Sequence, residues 1–130
     1  MLSKGRRKAR HLALQVLYER ELNQSTVSPP PKDEFAGQIV QGVLGKLKEI
    51  DALIEENSQH WRLKRMAVID RNILRMGVYE LSYCDDIPAT VSINEMVEIA
   101  KHFGGEGSAA FVNGILDKIK GSLDRPGKAP

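Results

Sequence analysis

The stretch KGRRKAR places Lys4, Arg6, Arg7, Lys8 and Arg10 close together with no acid among them. Guanidinium groups are planar and permanently charged, donate paired hydrogen bonds to phosphate and stack on bases, so the run suits a polyanion, above all RNA with splayed nucleotides. The formal net charge is only +2. With five of the 19 Lys and Arg in this run, the other 14 stand against 17 acids, a remainder of −3. Such local basicity is the footprint of a binding patch. A solvated basic tail is the competing explanation for a short run of this kind.

Other reactive side chains are sparse. His11, His60 and His102 have no His or Cys partner at metal-ligand spacing and no nucleophile beside them, so neither a metal, a cofactor nor a catalytic site is expected. The single cysteine, Cys84, excludes an internal disulfide and fits a reducing, cytoplasmic setting. Asp85 and Asp86 precede Ile87-Pro88 and read as turn residues. The glycine-rich Gly104 to Gly107 lacks the Lys-Ser or Lys-Thr of a phosphate-binding loop, and reads as a helix stop followed by a helix entrance. Trp61, in HWRLKR, admits two roles: a stacking platform among cations, or a plug between two helical halves. The weight of aromatic side chains in core burial favours the plug.

The elements that must hold these residues are helical. From Lys4 to Glu21, Ala9, Leu12, Ala13, Val16 and Leu17 share one stripe on a 3.6-residue period, so the cations ride on an amphipathic helix. NQSTVSPPPKD ends it in a loop. The spacing then predicts one long helix from about Asp33 to Asn57, with Gly37, Gly42 and Gly45 allowing close approach of a neighbour. MAVIDRNILRMGVYELSYC is apolar around much of its circumference and belongs at the centre. Ser92-Ile93-Asn94-Glu95 reads as a capping box opening a helix whose buried face includes Met96, Val97, Ala100 and Phe103. A last helix runs from Ser108 to about Lys120, with Phe111, Val112, Ile115, Leu116 and Ile119 inward, and the end RPGKAP should fray. The class is all-α, a compact globule of about six to seven helices. One domain spans 1–130, with helical halves at about 4–58 and 62–121 and a flexible tail over 122–130. No apolar run approaches membrane-spanning length and no signal peptide is evident, so a soluble, unprocessed protein is expected.

RRKARHLALQVLYERE, WRLKRMAVIDRNILRMGVYEL and IPATVSINEMVEIAKHFGGEGSAAFVNGILDKI, in this order, resemble the NusB family of bacterial transcription antitermination factors. The resemblance covers the first helix and nearly everything from Trp61 to Ile119. It implies an all-helical fold of two small subdomains and a non-enzymatic regulator. Such a regulator binds a single-stranded boxA-type RNA element with ribosomal protein S10 (NusE), in the RNA polymerase antitermination complex of ribosomal RNA operons. By matching positions it implies that Arg6, Arg7 and Arg10 hold RNA phosphates and that Gln15 adds a polar contact. Ser108, Phe111 and Asn113 would form the second side of the RNA groove, and Tyr18 and Asp70 would face S10. His11 stands where family members often carry an acid. The alternative from another class is a helical adaptor or homodimer that uses the basic strip for a protein partner. A NusB-like module also precedes the catalytic domain of certain ribosomal RNA cytosine methyltransferases, but 130 residues are expected to leave no room for a cofactor-binding sheet.

Overall fold

Helix α4 (Val68–Tyr83) is the axis of the molecule, a computed structural model that describes residues 2–24, 31–59, 61–125 and 127–130. His60, residues 25–30 of the proline-rich loop and the Lys4 side chain lie outside the described set. Ile73, Leu74, Met76, Val78 and Leu81 are all buried, which accounts for the two apolar stripes read in this segment. Around it pack α1 (Leu2–Leu22), α2 (Glu34–Gly45), α3 (Leu47–Glu56), α5 (Ala89–Phe103) and α6 (Ser108–Ser122), with a 3-10 turn at Leu63–Arg65. The described residues contain six α-helices and no strand, and one apolar core runs through all six. No helix among them is long and apolar enough to cross a membrane.

Two helices begin or end where the sequence did not lead one to expect. The long helix from Asp33 to Asn57 is two, because Lys46 leaves helical geometry (φ −121°, ψ 23°) and re-aims α3 against α4. Its start is as expected, with Asp33 capping α2 by accepting a hydrogen bond from Ala36 N at 2.9 Å. α5 starts at Ala89, directly after Pro88, so Ser92 lies inside the helix and is fully buried rather than capping it. The Ser92 hydroxyl serves a buried carboxylate instead.

The face that α1 buries is rotated from the expected stripe. Ala9, Arg10, Ala13, Leu14 and Leu17 are buried, whereas Leu12 and Val16 are only half-buried. The C-terminal residues, expected to fray, return along the α4–α5 junction. Ala89 N donates to Ala129 O (3.0 Å), and Lys128 Nζ donates to Glu80 O and Cys84 O, both at 2.6 Å. Arg125 also donates to the carbonyls of Leu81 and Ser82. These bonds satisfy the open carbonyls at the end of α4. Burial pushes the Cys84 thiol there up to about 11, so it stays protonated and inert at neutral pH.

Of the three helical glycines expected to permit close approach, one does. A Cβ on Gly42 would lie 2.0 Å from the Tyr79 ring, whereas Gly37 makes only an ordinary contact and Gly45 faces open space. Gly42→Ala should therefore lower stability by about 1–3 kcal/mol by forcing α2 off α4. Gly45→Ala should be neutral or stabilise by up to ~1 kcal/mol. Urea denaturation of the two variants checks this; equal effects would remove the assigned role of Gly42.

Candidate nucleic-acid interface

The cationic face of α1 is organised by one arginine that solvent does not reach. Arg10 is 2% exposed and donates from Nε to Glu80 Oε2 (2.7 Å) and from Nη2 to Glu80 Oε1 (3.0 Å). Glu80 is fully buried on α4, and its Oε1 also accepts the Ser92 hydroxyl of α5 at 2.7 Å. Arg10 Nη1 lies 3.6 Å from Glu95 Oε1, and its guanidinium carbon is 5.4 Å from the Phe35 ring centroid. The expectation that Arg10 presents itself to phosphate thus meets a side chain committed to the interior. A charge at the edge of an apolar stripe reads as solvated until its partner, 70 positions away, is known.

Arg6 and Arg7 stay at the surface, each with a carboxylate. Arg6 Nη2 donates to Asp86 Oδ2 at 3.0 Å, with its guanidinium 4.5 Å from the Phe35 centroid. Arg7 donates from Nε (3.1 Å) and Nη2 (2.8 Å) to the two oxygens of Glu95. The hydrogen bonds from Arg7 hold the Glu95 carboxyl below the usual range, and the bond from Arg6 does the same for Asp86. Lys8 is exposed, as is Gln15, whose amide donates to Glu19 Oε1 (3.3 Å) on the same helix. Asp86 and Glu95 were missed as functional neighbours, being read as a turn residue and a cap. The signal available was the net acidity outside the arginine run. His11 rests edge-on to Phe103 at 5.2 Å, and burial, followed by the neighbouring His102, pushes its imidazole down. Phe103, expected on the buried face, is about half exposed there.

α5, which meets α1 through Glu95 and Phe103, ends at the loop that opens α6. Gly107 adopts φ +85° as the residue before the helix, a conformation that favours glycine. Ser108 Oγ accepts from Gly105 N (2.9 Å) and donates to Asp70 Oδ1 (2.7 Å), tying α6 to the first turn of α4. Trp61, Arg65, Asp70, Ser108 and Phe111 line a groove of about 330 Å³ at this point. Ser108, expected on the RNA side, and Asp70, expected to face a protein partner, are therefore bonded to each other on one surface. Trp61 is 53% exposed, with its ring edge-to-face to Phe111 at 6.4 Å, so it does not plug the core. Asn113 is exposed on α6 and Tyr18 half-buried on α1, both outside the residues that line the groove.

The sequence profile of the NusB family matches residues 7–120. The chain belongs to the NusB family. A transcription antitermination protein NusB from Myxococcus xanthus (strain DK1622) is 45% identical over 138 residues, covering 94% of this chain and 99% of that protein. The NusB structure from T. maritima superposes with a TM-score of 0.83 at 35% identity, covering 96% of this chain and 93% of that one. A structure of antitermination factors NusB and NusE in complex with double-stranded RNA superposes with a TM-score of 0.78 at 26% identity, over 92% of this chain and 98% of that one. Arg7, Lys8 and Arg10 of the basic run and the Ser108–Phe111 turn of helix α6 fall inside the matched span, whereas Lys4 and Arg6 precede it.

Removing one member of the buried pair leaves the other as an uncompensated charge. Arg10→Met should destabilise the NusB fold by about 3–5 kcal/mol in denaturant unfolding; a loss within ~0.5 kcal/mol would show that Glu80 does not need its partner. Glu95 has a folded-state pKa below its ordinary 4.5. Its contribution to stability is therefore complete above the ordinary value and is lost as pH falls through the depressed one. Glu95→Gln should flatten the acid limb of the stability profile below about pH 5 and leave its neutral-to-basic limb unchanged in shape, as measured by urea midpoints across pH.

Proposed function

We propose that this NusB-family protein is a cytoplasmic RNA-binding regulator, not an enzyme. It binds a single-stranded boxA-like element together with ribosomal protein S10 (NusE) and supports processive transcription of ribosomal RNA operons within the RNA polymerase antitermination complex. The observation that carries the RNA-binding part is the display of Arg6, Arg7 and Lys8 on a helix locked by the internal Arg10–Glu80 pair. A cationic surface held in this way neutralises phosphates without first having to be ordered.

In this assignment Arg6 and Arg7 hold phosphates, and Arg10 positions the helix that carries them. Gln15 adds a polar contact further along α1. Ser108, Phe111 and Asn113 supply the second side of the site on α6. Tyr18 and Asp70 face S10, and the hydrogen bond from Ser108 to Asp70 joins that contact to the RNA side. Because Asp86 and Glu95 occupy Arg6 and Arg7 in the free protein, phosphate binding is an exchange of one anion for another.

Titration of a labelled boxA-like single strand by fluorescence anisotropy at several salt concentrations tests the assignment. Arg7→Gln should weaken binding on the order of tenfold and reduce the salt slope by about 0.7, the increment of one lost phosphate contact on a single strand. Glu95→Gln, which frees Arg7 from its competitor, should tighten binding. Unchanged affinity and slope in Arg7→Gln would remove α1 from the RNA site.

A further inference from the structure

We infer that Trp61 is a base-stacking residue, forming with Phe111 a right-angled aromatic corner against which one unstacked nucleobase of single-stranded RNA packs. The inference rests on the RNA-binding function proposed above and extends its site to the 58–65 turn. The only tryptophan of the chain is about half exposed. Leaving such a ring in water forgoes a large burial gain, so the position asks for another occupant of its surface. Trp61 lines the groove it shares with Phe111 and also a second hollow bounded by Glu55, Ser58 and Arg62.

The backbone that carries the ring is also fixed in place. Trp61 N donates to Ser58 O at 2.8 Å, and the hydroxyl of the buried Ser58 donates back to Trp61 O at 2.9 Å. Two residues on, Leu63 N donates to Glu55 Oε2 at 3.0 Å. A platform pinned at its backbone loses little conformational freedom on binding. The rings of Trp61 and Phe111 meet edge-to-face and do not stack on each other, and Trp61 is half exposed, which leaves aromatic surface for a base.

Charge and polarity select a nucleobase over an apolar side chain of a protein. Arg62 and Arg65 are exposed and line the hollows that Trp61 lines, where they attract the strand's phosphates. The far rim carries Asp70 and Glu106, whose carboxylates accept from the N–H edge of a base. A volume of about 330 Å³ is ample for one base. Stacking of this kind is indifferent to salt, unlike the contacts of Arg6 and Arg7.

The sole tryptophan reports on its own surface. Titrating the full-length protein with a short boxA-like single strand should quench Trp61 emission in step with the anisotropy of the labelled RNA. Trp61→Ala should lose about tenfold or more in affinity with an unchanged salt slope, and Trp61→Phe should recover most of it. In a scan with abasic nucleotides, one position should weaken the wild type and not Trp61→Ala. Circular dichroism of Trp61→Ala should be unchanged, and if it is not, Trp61→Phe and the quenching decide. Wild-type RNA binding without quenching, or with full affinity in a folded Trp61→Ala, overturns the inference, assigns the groove to a protein contact and leaves the RNA-binding assignment standing. Absence of any RNA binding by the wild type overturns both.

Discussion

The bidentate bond between Arg10 and Glu80 is the constraint on which the cationic surface depends. Both charges are out of water, so each is costly alone and tolerable only with its lone pairs and N–H groups engaged. Glu80 meets that condition with Arg10 and Ser92, which come from α1 and α5 respectively. A charge pair of this kind is poor evidence for high stability, because an apolar substitute of equal shape packs as well or better. What it supplies is register. An apolar stripe such as Ala9, Ala13 and Leu17 allows α1 to slide or rotate by a fraction of a turn at small cost, whereas a two-point bond to a buried carboxylate does not.

The C-terminal end of α1 is held by a second ionic cluster built from the DRNILR segment of α4. Glu21 accepts from Asn72 at 2.9 Å and from Arg75 at 2.8 Å, and is also bonded by Arg71. Arg75 reaches on to Asp51 of α3 through two bonds of 2.8 and 3.1 Å, while Arg71 turns towards the carbonyls of the 3-10 turn. α4 thus fixes α1 near its middle and at its C-terminal end by planar, directional pairs, and Arg71 also fastens the 3-10 turn that follows Trp61. The arginine run and the aromatic groove are separated in sequence but share α4 as their reference.

Much of this was legible in the sequence, and the failures have a common cause. The central character of α4 follows from its nearly all-round apolar pattern, and the start of α6 at Ser108 from the glycines before it. The cationic helix follows from its period. Arg10, Ser92 and Trp61 were misplaced because single-residue rules send charged and hydroxyl side chains outward or to caps and large aromatics inward. Each is decided by a partner far away in sequence: Glu80 for the first two, and the Ser58 turn with Phe111 for the third. The break at Lys46 escaped for a related reason. The apolar spacing continues through it, and only the need of α2 and α3 to meet α4 separately bends the chain there. Asp86 and Glu95 looked like local punctuation for the same reason, since their counterions lie 80 and 88 positions away.

The two faces of the proposed site differ in what they ask of a ligand. On α1, Arg6 and Arg7 are already paired, so a phosphate gains only the difference between its own bonds and those of Asp86 and Glu95. That difference is modest for an isolated phosphate and grows along a strand that engages several arginines together. Free phosphate and scattered anions therefore compete poorly with a polyanion. The α6 side contributes through stacking and hydrogen bonding, which salt does not screen and which require a base free of its neighbours. A regular duplex satisfies the first face but not the second, and a loose aromatic ligand the second but not the first. The proposed preference for a single strand then arises from requiring both on one rigid frame, and the rigidity traces back to the pairs that fasten α1 to α4.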